Sequence, residues 1–292
     1  MPRWGSGLTA TPKEFQVSPS QQLALASSAM NSSSQIDRWI DKNLHPIGEV
    51  AYRNGLVETF EKNGALVLVG FFTTGFVTHV VAESAERESE AFFANSTHNV
   101  YLTDPDPALP PDHAFNRQVV SSKGLIADDQ ISEKSPLRVV YENREFTDFL
   151  CALLKVDHIY PYEDDLSSIN VHFAPASKEL GWHFDNSSFA VTTLLQAPEN
   201  GGLFQYVPEV RDADAGEMAY QRVTNILDEN ETVTPLKFAP GDLVLFRGRN
   251  ALHRVTPTEG PVTRILAVFA YNDQPGIGLS DSALETFYGR TQ

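Results

Sequence analysis

The segment Gly181-Trp182-His183-Phe184-Asp185-Asn186 sets an imidazole and a carboxylate two residues apart. In an extended chain residues i and i+2 face the same side. Their side chains then leave the backbone roughly 6 to 7 Å apart, near enough for both to reach one ion. A third donor must come from elsewhere, and His253 is the candidate: an apolar run at 243–246 and a polar turn, Arg247-Gly248-Arg249-Asn250, lead to it. Two histidines and one carboxylate on one face of a metal leave its other positions open, the donor set that suits Fe(II). The catalytic and metal-ligating candidates are therefore His183, Asp185 and His253. A His-x-Asp pair alone is weak evidence, since it arises by chance and a buried histidine can simply bond to its neighbour. Arg264 strengthens the case. It lies eleven residues beyond His253, at the head of an apolar run that ends at Tyr271, and a buried guanidinium is costly unless it meets an anion. Its planar fork matches a carboxylate bidentately, so a dicarboxylate that chelates the metal at one end and meets Arg264 at the other would satisfy both features.

These residues need rigid strands around them. After Pro161 short β-rich runs punctuated by Gly and Pro follow one another, at 169–174, 189–196, 202–207, 242–246 and 262–271. Such runs suit a double-sheet jelly roll or cupin-like barrel. The expected fold is α+β: a double-stranded β-helix core with N-terminal helices packed on it. Helical spacing over 49–63, ended by Asn63-Gly64, precedes an apolar strand at 65–69. Thr73 or Thr74 can cap a second helix through about residue 94, with Glu83, Glu86, Glu88 and Glu90 as its solvated face. Another helix is expected over 144–155, an insertion helix over 215–227, and a last one over 281–288 capped by Ser280. The stretch 104–111 reads as proline-rich loop, followed by a polar stretch containing Arg117.

Composition limits what the chain can be. Its 292 residues, 41% of them hydrophobic, suffice for a globular core. The balance of 22 basic against 38 acidic residues gives a net charge of −16, which would repel nucleic acid and anionic membranes. No stretch reaches the roughly 20 apolar residues that cross a bilayer. The single cysteine, Cys151, forbids an intrachain disulfide and suits a reducing, cytoplasmic setting. Residues 1 to about 35 are rich in Ser, Ala, Gln, Thr and Pro and too poor in large apolar side chains to bury much surface. Arg3 and Lys13 are few basic residues for an organellar presequence. The expected organisation is a flexible tail at 1–46 and one catalytic domain at 47–292, with a helical part at 47–160, a jelly-roll core at 161–275 and a C-terminal helix at 280–289.

Pro240-Gly241-Asp242, His253-Arg254-Val255 and Arg264 with its apolar strand together resemble the C-terminal half of the Fe(II)- and 2-oxoglutarate-dependent oxygenases. The resemblance runs over roughly 165–275. It implies Fe(II), 2-oxoglutarate and O2 as metal and co-substrates, with Arg264 on the distal carboxylate of 2-oxoglutarate. Asn170-Val171-His172 is similar to an Asn-x-Tyr segment whose tyrosine contacts the co-substrate, so His172 is either a co-substrate contact or a core histidine. The Arg-x-Ser pattern is broken at Leu266, which leaves one co-substrate hydrogen bond to be supplied from elsewhere. Trp182 to Ser187 and the run that follows are most similar to the free amino-acid hydroxylases and radical halogenases. Halogenating members carry Gly or Ala where this chain has Asp185, so the resemblance implies a hydroxylase acting on a free amino acid or a derivative. For that substrate, Arg117, in a polar loop before the barrel, is the candidate clamp of the carboxylate, or else a surface arginine. Asn272, with Asp273, is a candidate partner of an amino group or part of a turn. Asn186 either supports the metal ligands from behind or forms a turn.

Two other classes stay open at this point. One is a cupin-like module that holds a metal without oxygenase activity, although a structural site usually closes with a fourth ligand. The other is an oxygenase acting on a protein side chain, and within the oxygenase reading the outcome could also be desaturation or cyclisation.

Overall fold

The computed structural model describes residues 35–292, so most of the expected tail lies outside the described residues. Its last part does not behave as a tail. Ile36, Trp39 and Ile40 are buried in the main core, and Ile40 bridges Phe72 as isolated β-pairing. The ordered unit therefore begins well before residue 47, because these apolar side chains have an aromatic surface to cover.

In chain order the elements are α1 (Val50–Asn63), β1 (Ala65–Leu68), α2 (Thr74–Arg87), β2 (Phe92–Asn99), β3 (Gln118–Ile126), α3 (Pro136–Tyr141), α4 (Arg144–Leu154), β4 (Ile169–Ala174), β5 (Glu179–His183), β6 (Ala190–Gln196), β7 (Asn200–Gly201), β8 (Phe204–Val207), α5 (Tyr220–Leu227), β9 (Thr234–Pro235), β10 (Leu243–Phe246), β11 (Leu252–Val255), β12 (Thr258–Glu259), β13 (Arg264–Phe269) and α6 (Asp281–Tyr288). Eleven strands form one antiparallel sheet in the order β1-β10-β6-β13-β4-β3-β5-β11-β8-β9, with β2 on β3, and β7 pairs with β12. This is the α+β jelly roll: β1, β10, β6, β13 and β4 make one layer, β5, β11, β8 and β9 the other. β3 joins them along one side through its pairing with both β4 and β5.

Alternation along the strands separates core from cavity. On β4, Ile169, Val171 and Phe173 enter the core beneath the helices, while His172 and Ala174 line the cavity between the layers. On β13, Ile265, Ala267 and Phe269 belong to that core, and Arg264, Leu266 and Val268 face the cavity. α1, α2 and α4 cover the layer with Phe60, Phe76, Phe146 and Phe149, all fully buried. Thr73 caps α2 by accepting from Phe76 N, and Asn143 caps α4 by accepting from Glu145 N and Phe146 N. α5 covers the second layer, where Val223 and Ile226 meet Trp182, Phe184, Val207 and Leu252.

Two sequence expectations are corrected. The second helix stops at Arg87; Glu88–Glu90 is a short 3-10 turn and Phe92–Asn99 is the strand β2. The polar stretch after Arg117 is the nine-residue strand β3 rather than loop. Ser280 caps α6 as expected, accepting from Ala283 N. No helix among the described residues is long and apolar enough to cross a membrane.

Candidate active site

His183 ends β5, and Asp185 is the second residue after the strand. Between them Phe184 is fully buried, bonded through its backbone N–H to Val100 O at 2.9 Å and lying under the Arg211 guanidinium at 4.1 Å. That anchor turns both neighbours to the other side. His253, on β11, is the register partner of His183. Asp185 N donates to Gly248 O at 3.1 Å, which ties the carboxylate to the turn before β11. The three residues thus converge: His183 Nε2 and His253 Nε2 lie 3.6 and 3.4 Å from Asp185 Oδ1, and the imidazole rings are 4.1 Å apart.

These donors fit a divalent metal. His183 Nδ1 faces Gly181 O at 2.8 Å and His253 Nδ1 faces Ala251 O at 3.1 Å. A carbonyl can only accept, so both Nδ1 atoms carry hydrogen and both Nε2 lone pairs point at Asp185. Asp185 Oδ2 is shielded from solvent without a hydrogen-bond partner, an arrangement that costs free energy unless a cation completes it. Gly248 leaves the room required: a β-carbon there would stand 1.8 Å from Asp185 Oδ2 and 2.9 Å from His253 Cε1. Burial, and then the nearby His253, bring the His183 ring down to about 4, so it is neutral at pH 7.

The triad opens on a cavity of about 260 Å³ between the two layers. Phe204, Phe238, Phe246, Val244, Val255 and Leu266 supply an apolar wall. Arg264 is buried in it and makes no hydrogen bond or ion pair with any described residue. Burial lowers its guanidinium to about 10, still a cation at neutral pH. His172 lines the same cavity, its Nδ1 lying 3.3 Å from Lys123 Nζ. Burial, then the charges of Lys123 and Arg264, hold the His172 ring well below its ordinary value.

The three remaining sequence candidates are held elsewhere. Arg117 pairs with Asp228 and donates to Leu227 O at 3.0 Å, fastening the start of β3 to the end of α5. Asn186 is exposed and offers its carbonyl to Arg249 Nη1 at 3.1 Å. Asn272 pairs with Tyr160 across a bridge, and its amide donates to Ile277 O at 3.3 Å. None of the three lines the cavity. Their alternative readings, a surface arginine and turn-forming asparagines, describe what is seen.

Sequence reasoning missed Lys123. Burial draws its amine down to about 8, against the pull of Asp185 and with the help of Arg264. The signal was present in Ser121-Ser122-Lys123-Gly124-Leu125-Ile126, where a lysine interrupts small and apolar residues. It carried no weight while the stretch read as loop. A support for β5 was missed with it. Gly181 N donates to Ser121 Oγ at 3.0 Å, and Ser121 Oγ meets His98 Nε2 at 2.7 Å. The same Gly181 carbonyl takes the His183 proton.

Residues 114–282 match the family model described as Halogenase D, more than half of the chain. No curated protein matches the chain. Among solved structures the chain is similar to the non-heme alpha ketoglutarate dependent epimerase SnoN from nogalamycin biosynthesis, with 16% identity, a TM-score of 0.54, and 77% of this chain and 84% of that chain covered. It is similar also to the non-heme alpha ketoglutarate dependent carbocyclase SnoK from the same biosynthesis, with 12% identity, a TM-score of 0.54, and 82% and 92% covered. A structure of SnoN in complex with Fe3+, alpha ketoglutarate and nogalamycin RO matches with 15% identity and a TM-score of 0.51 over 80% of this chain and 93% of that one. At such identities the likeness shows the fold: the curled double sheet and its helical cover.

Proposed function

This chain belongs to the Halogenase D family, and from that premise we propose that it is an Fe(II)- and 2-oxoglutarate-dependent oxygenase acting on a small molecule. The substrate is a free amino acid or a derivative, and the reaction is hydroxylation of an unactivated C–H bond. One observation carries the reading. A single cavity holds a carboxylate with a buried oxygen unpartnered among the described residues, between two imidazoles of fixed tautomer, and a buried guanidinium that meets no anion of those residues. The first group calls for a metal and the second for an anionic ligand. SnoN, of the same fold, is described with iron and alpha ketoglutarate bound.

His183, Asp185 and His253 would hold Fe(II), and Arg264 the distal carboxylate of 2-oxoglutarate. With O2 the bound metal supplies oxidative decarboxylation to succinate and CO2 coupled to C–H oxidation. The chain's own part is placement and exclusion. Nδ1–H bonds to Gly181 O and Ala251 O hold the two rings in orientation. The apolar wall keeps water from the reacting carbon, which protects a reactive centre from side reactions. Asp185 decides the outcome within a family whose name denotes halogenation: its carboxylate stands where a halide would have to bind, which supports hydroxylation. Residues 47–292 act as one catalytic unit, with 35–46 packed onto it.

The test is titration of 2-oxoglutarate into the anaerobic Fe(II) protein, followed by a screen of amino acids for stimulated succinate formation. A weak visible charge-transfer band and at least one stimulating amino acid are expected. Iron that binds without any such band would leave a plain metal-binding module.

A further inference from the structure

Lys123 is the cavity's second cation, and the triad has no use for it. It reaches in from β3, the strand that joins the two layers, beside β4 and His172. Its Nζ lies 3.3 Å from His172 Nδ1. An ammonium offers only donors, so Nδ1 is the acceptor, and the neutral ring must carry its own proton on Nε2. Lys123 and Arg264 are close enough for each to be felt by the same ring, and Arg264 acts on Lys123 as well. Among the described residues neither Lys123 nor Arg264 has a carboxylate partner within ion-pair distance. Two cations converging in a low-dielectric cavity repel each other and pay for desolvation. An anion between its members would offset both costs.

The co-substrate reading supplies that anion, and the register shows where it would be met. Leu266 lies directly opposite His172 on the neighbouring strand. This is the position where the resembling oxygenases carry the serine that bonds to the co-substrate, and here an apolar side chain stands beside a lysine–histidine pair. Resting on the 2-oxoglutarate reading above, we propose that Lys123, with His172 Nε2–H, replaces that serine and joins Arg264 in clamping the distal carboxylate of 2-oxoglutarate. Lys123 is thus a co-substrate residue contributed by β3, from outside the strands that bear the triad and Arg264. His172 orients the amine and adds one neutral donor. The clamp has a charge-assisted donor on each side of the carboxylate, and the loss of either cation weakens it.

The experiment compares two α-keto acids on the anaerobic Fe(II) protein, 2-oxoglutarate and 2-oxovalerate, which has the same chain length without the distal carboxylate. Affinity is read from the visible absorption of the complex. Lys123→Met should weaken 2-oxoglutarate roughly 10- to 100-fold, the range of a lost charge-assisted hydrogen bond, and leave 2-oxovalerate unchanged. Lys123→Arg should retain most of the 2-oxoglutarate affinity. Unfolding midpoints of both variants check that the fold persists. Arg264→Ala serves as the reference. If Arg264→Ala loses 2-oxoglutarate selectively while Lys123→Met does not, Lys123 is no part of the clamp and the proposal falls, with the co-substrate reading intact. Equal weakening of both keto acids by Lys123→Met would reduce the lysine to general electrostatics and also overturn it. If native protein forms no complex with 2-oxoglutarate at all, the function proposed above falls with it.

Discussion

Gly248 carries no side chain, yet the metal-ligand geometry depends on it. A β-carbon there would overlap Asp185 Oδ2 and crowd His253 Cε1 at 2.9 Å, so Gly248→Ala must displace the carboxylate and press on the His253 ring. The expected outcome is a fall in Fe(II) affinity of about 10-fold or more with an unchanged far-UV spectrum, measured by metal titration. Asp185 itself separates hydroxylation from halogenation. The native protein should yield oxygenated product even in high chloride, and chlorinated product would overturn the assignment. Asp185→Gly opens the place, but the surrounding wall was not shaped to hold chloride or aim the substrate at it. Weaker iron binding, uncoupled succinate formation and at most a trace of chlorination are expected; a native hydroxylation rate would show that Asp185 is no ligand. Lys123 gives a pH signature. Its amine loses its proton near 8 in the folded chain and near the ordinary lysine value of 10.5 when unfolded. Between those values the unfolded chain binds more protons, so stability of the ligand-free protein rises with pH there. Lys123→Met should remove that rise, measured as the difference between native and variant denaturation midpoints at pH 8 and 9.5. Residues of the triad were legible because His-x-Asp and a distant histidine make a donor set by residue type and spacing, although β5 and β11, which carry the two histidines, were not among the expected strands. Lys123 was not, because a lysine becomes informative only once its strand is known to face a cavity.

At the scale of elements, legibility followed burial. Strands β4, β6, β10 and β13 lie in the layer beneath the helices and announce themselves as apolar runs. β2 and β3 do not: β2 is an edge strand that starts on two exposed residues, Phe92 and Phe93, and its acidic approach Glu86 to Glu90 suits a helix equally well. The helix ends where Thr263 and Arg87 engage Glu88 and Glu90, and the chain turns into pairing with β3. Arg117 shows what this cost the site reading. As part of a loop before a barrel it was free to clamp a substrate; as the residue entering β3 it is committed to α5 through Asp228 and Leu227. Arg117→Ala should therefore leave the apparent constants for substrate and 2-oxoglutarate unchanged. It should loosen α5, read as faster hydrogen exchange over 220–227. A selective rise in substrate KM would return Arg117 to the binding site.

Across the whole molecule, the least legible feature is closure. The cavity exists because β3 pairs with β4 on one layer and β5 on the other, and such non-local pairing has no local sequence pattern. The other is where the ordered chain begins. Low apolar content suggested a tail through residue 46, but three apolar residues late in that stretch are enough to dock it: Ile36, Trp39 and Ile40 are buried with Phe71, Phe72 and Phe76. Backbone bonds reinforce them, with Asp41 N donating to Phe71 O and Thr73 N to Trp39 O, both at 2.9 Å. Thr73 is also the cap of α2, so the segment supports a helix as well as filling a core. Two truncations separate these contributions from everything before residue 35. A chain beginning at residue 35 keeps every contact described. One beginning at residue 47 removes all three side chains and uncovers Phe72 and Phe76. Each large apolar side chain lost from a core costs about 2 to 5 kcal/mol, and about 1 kcal/mol moves the midpoint of a chain of this size by roughly 2 to 4 °C. The longer truncation should therefore melt at least about 10 °C below the shorter one, or fail to accumulate as folded protein. Equal melting temperatures would mean that residues 35–46 dock without contributing to stability, and that the boundary at residue 47 was right after all.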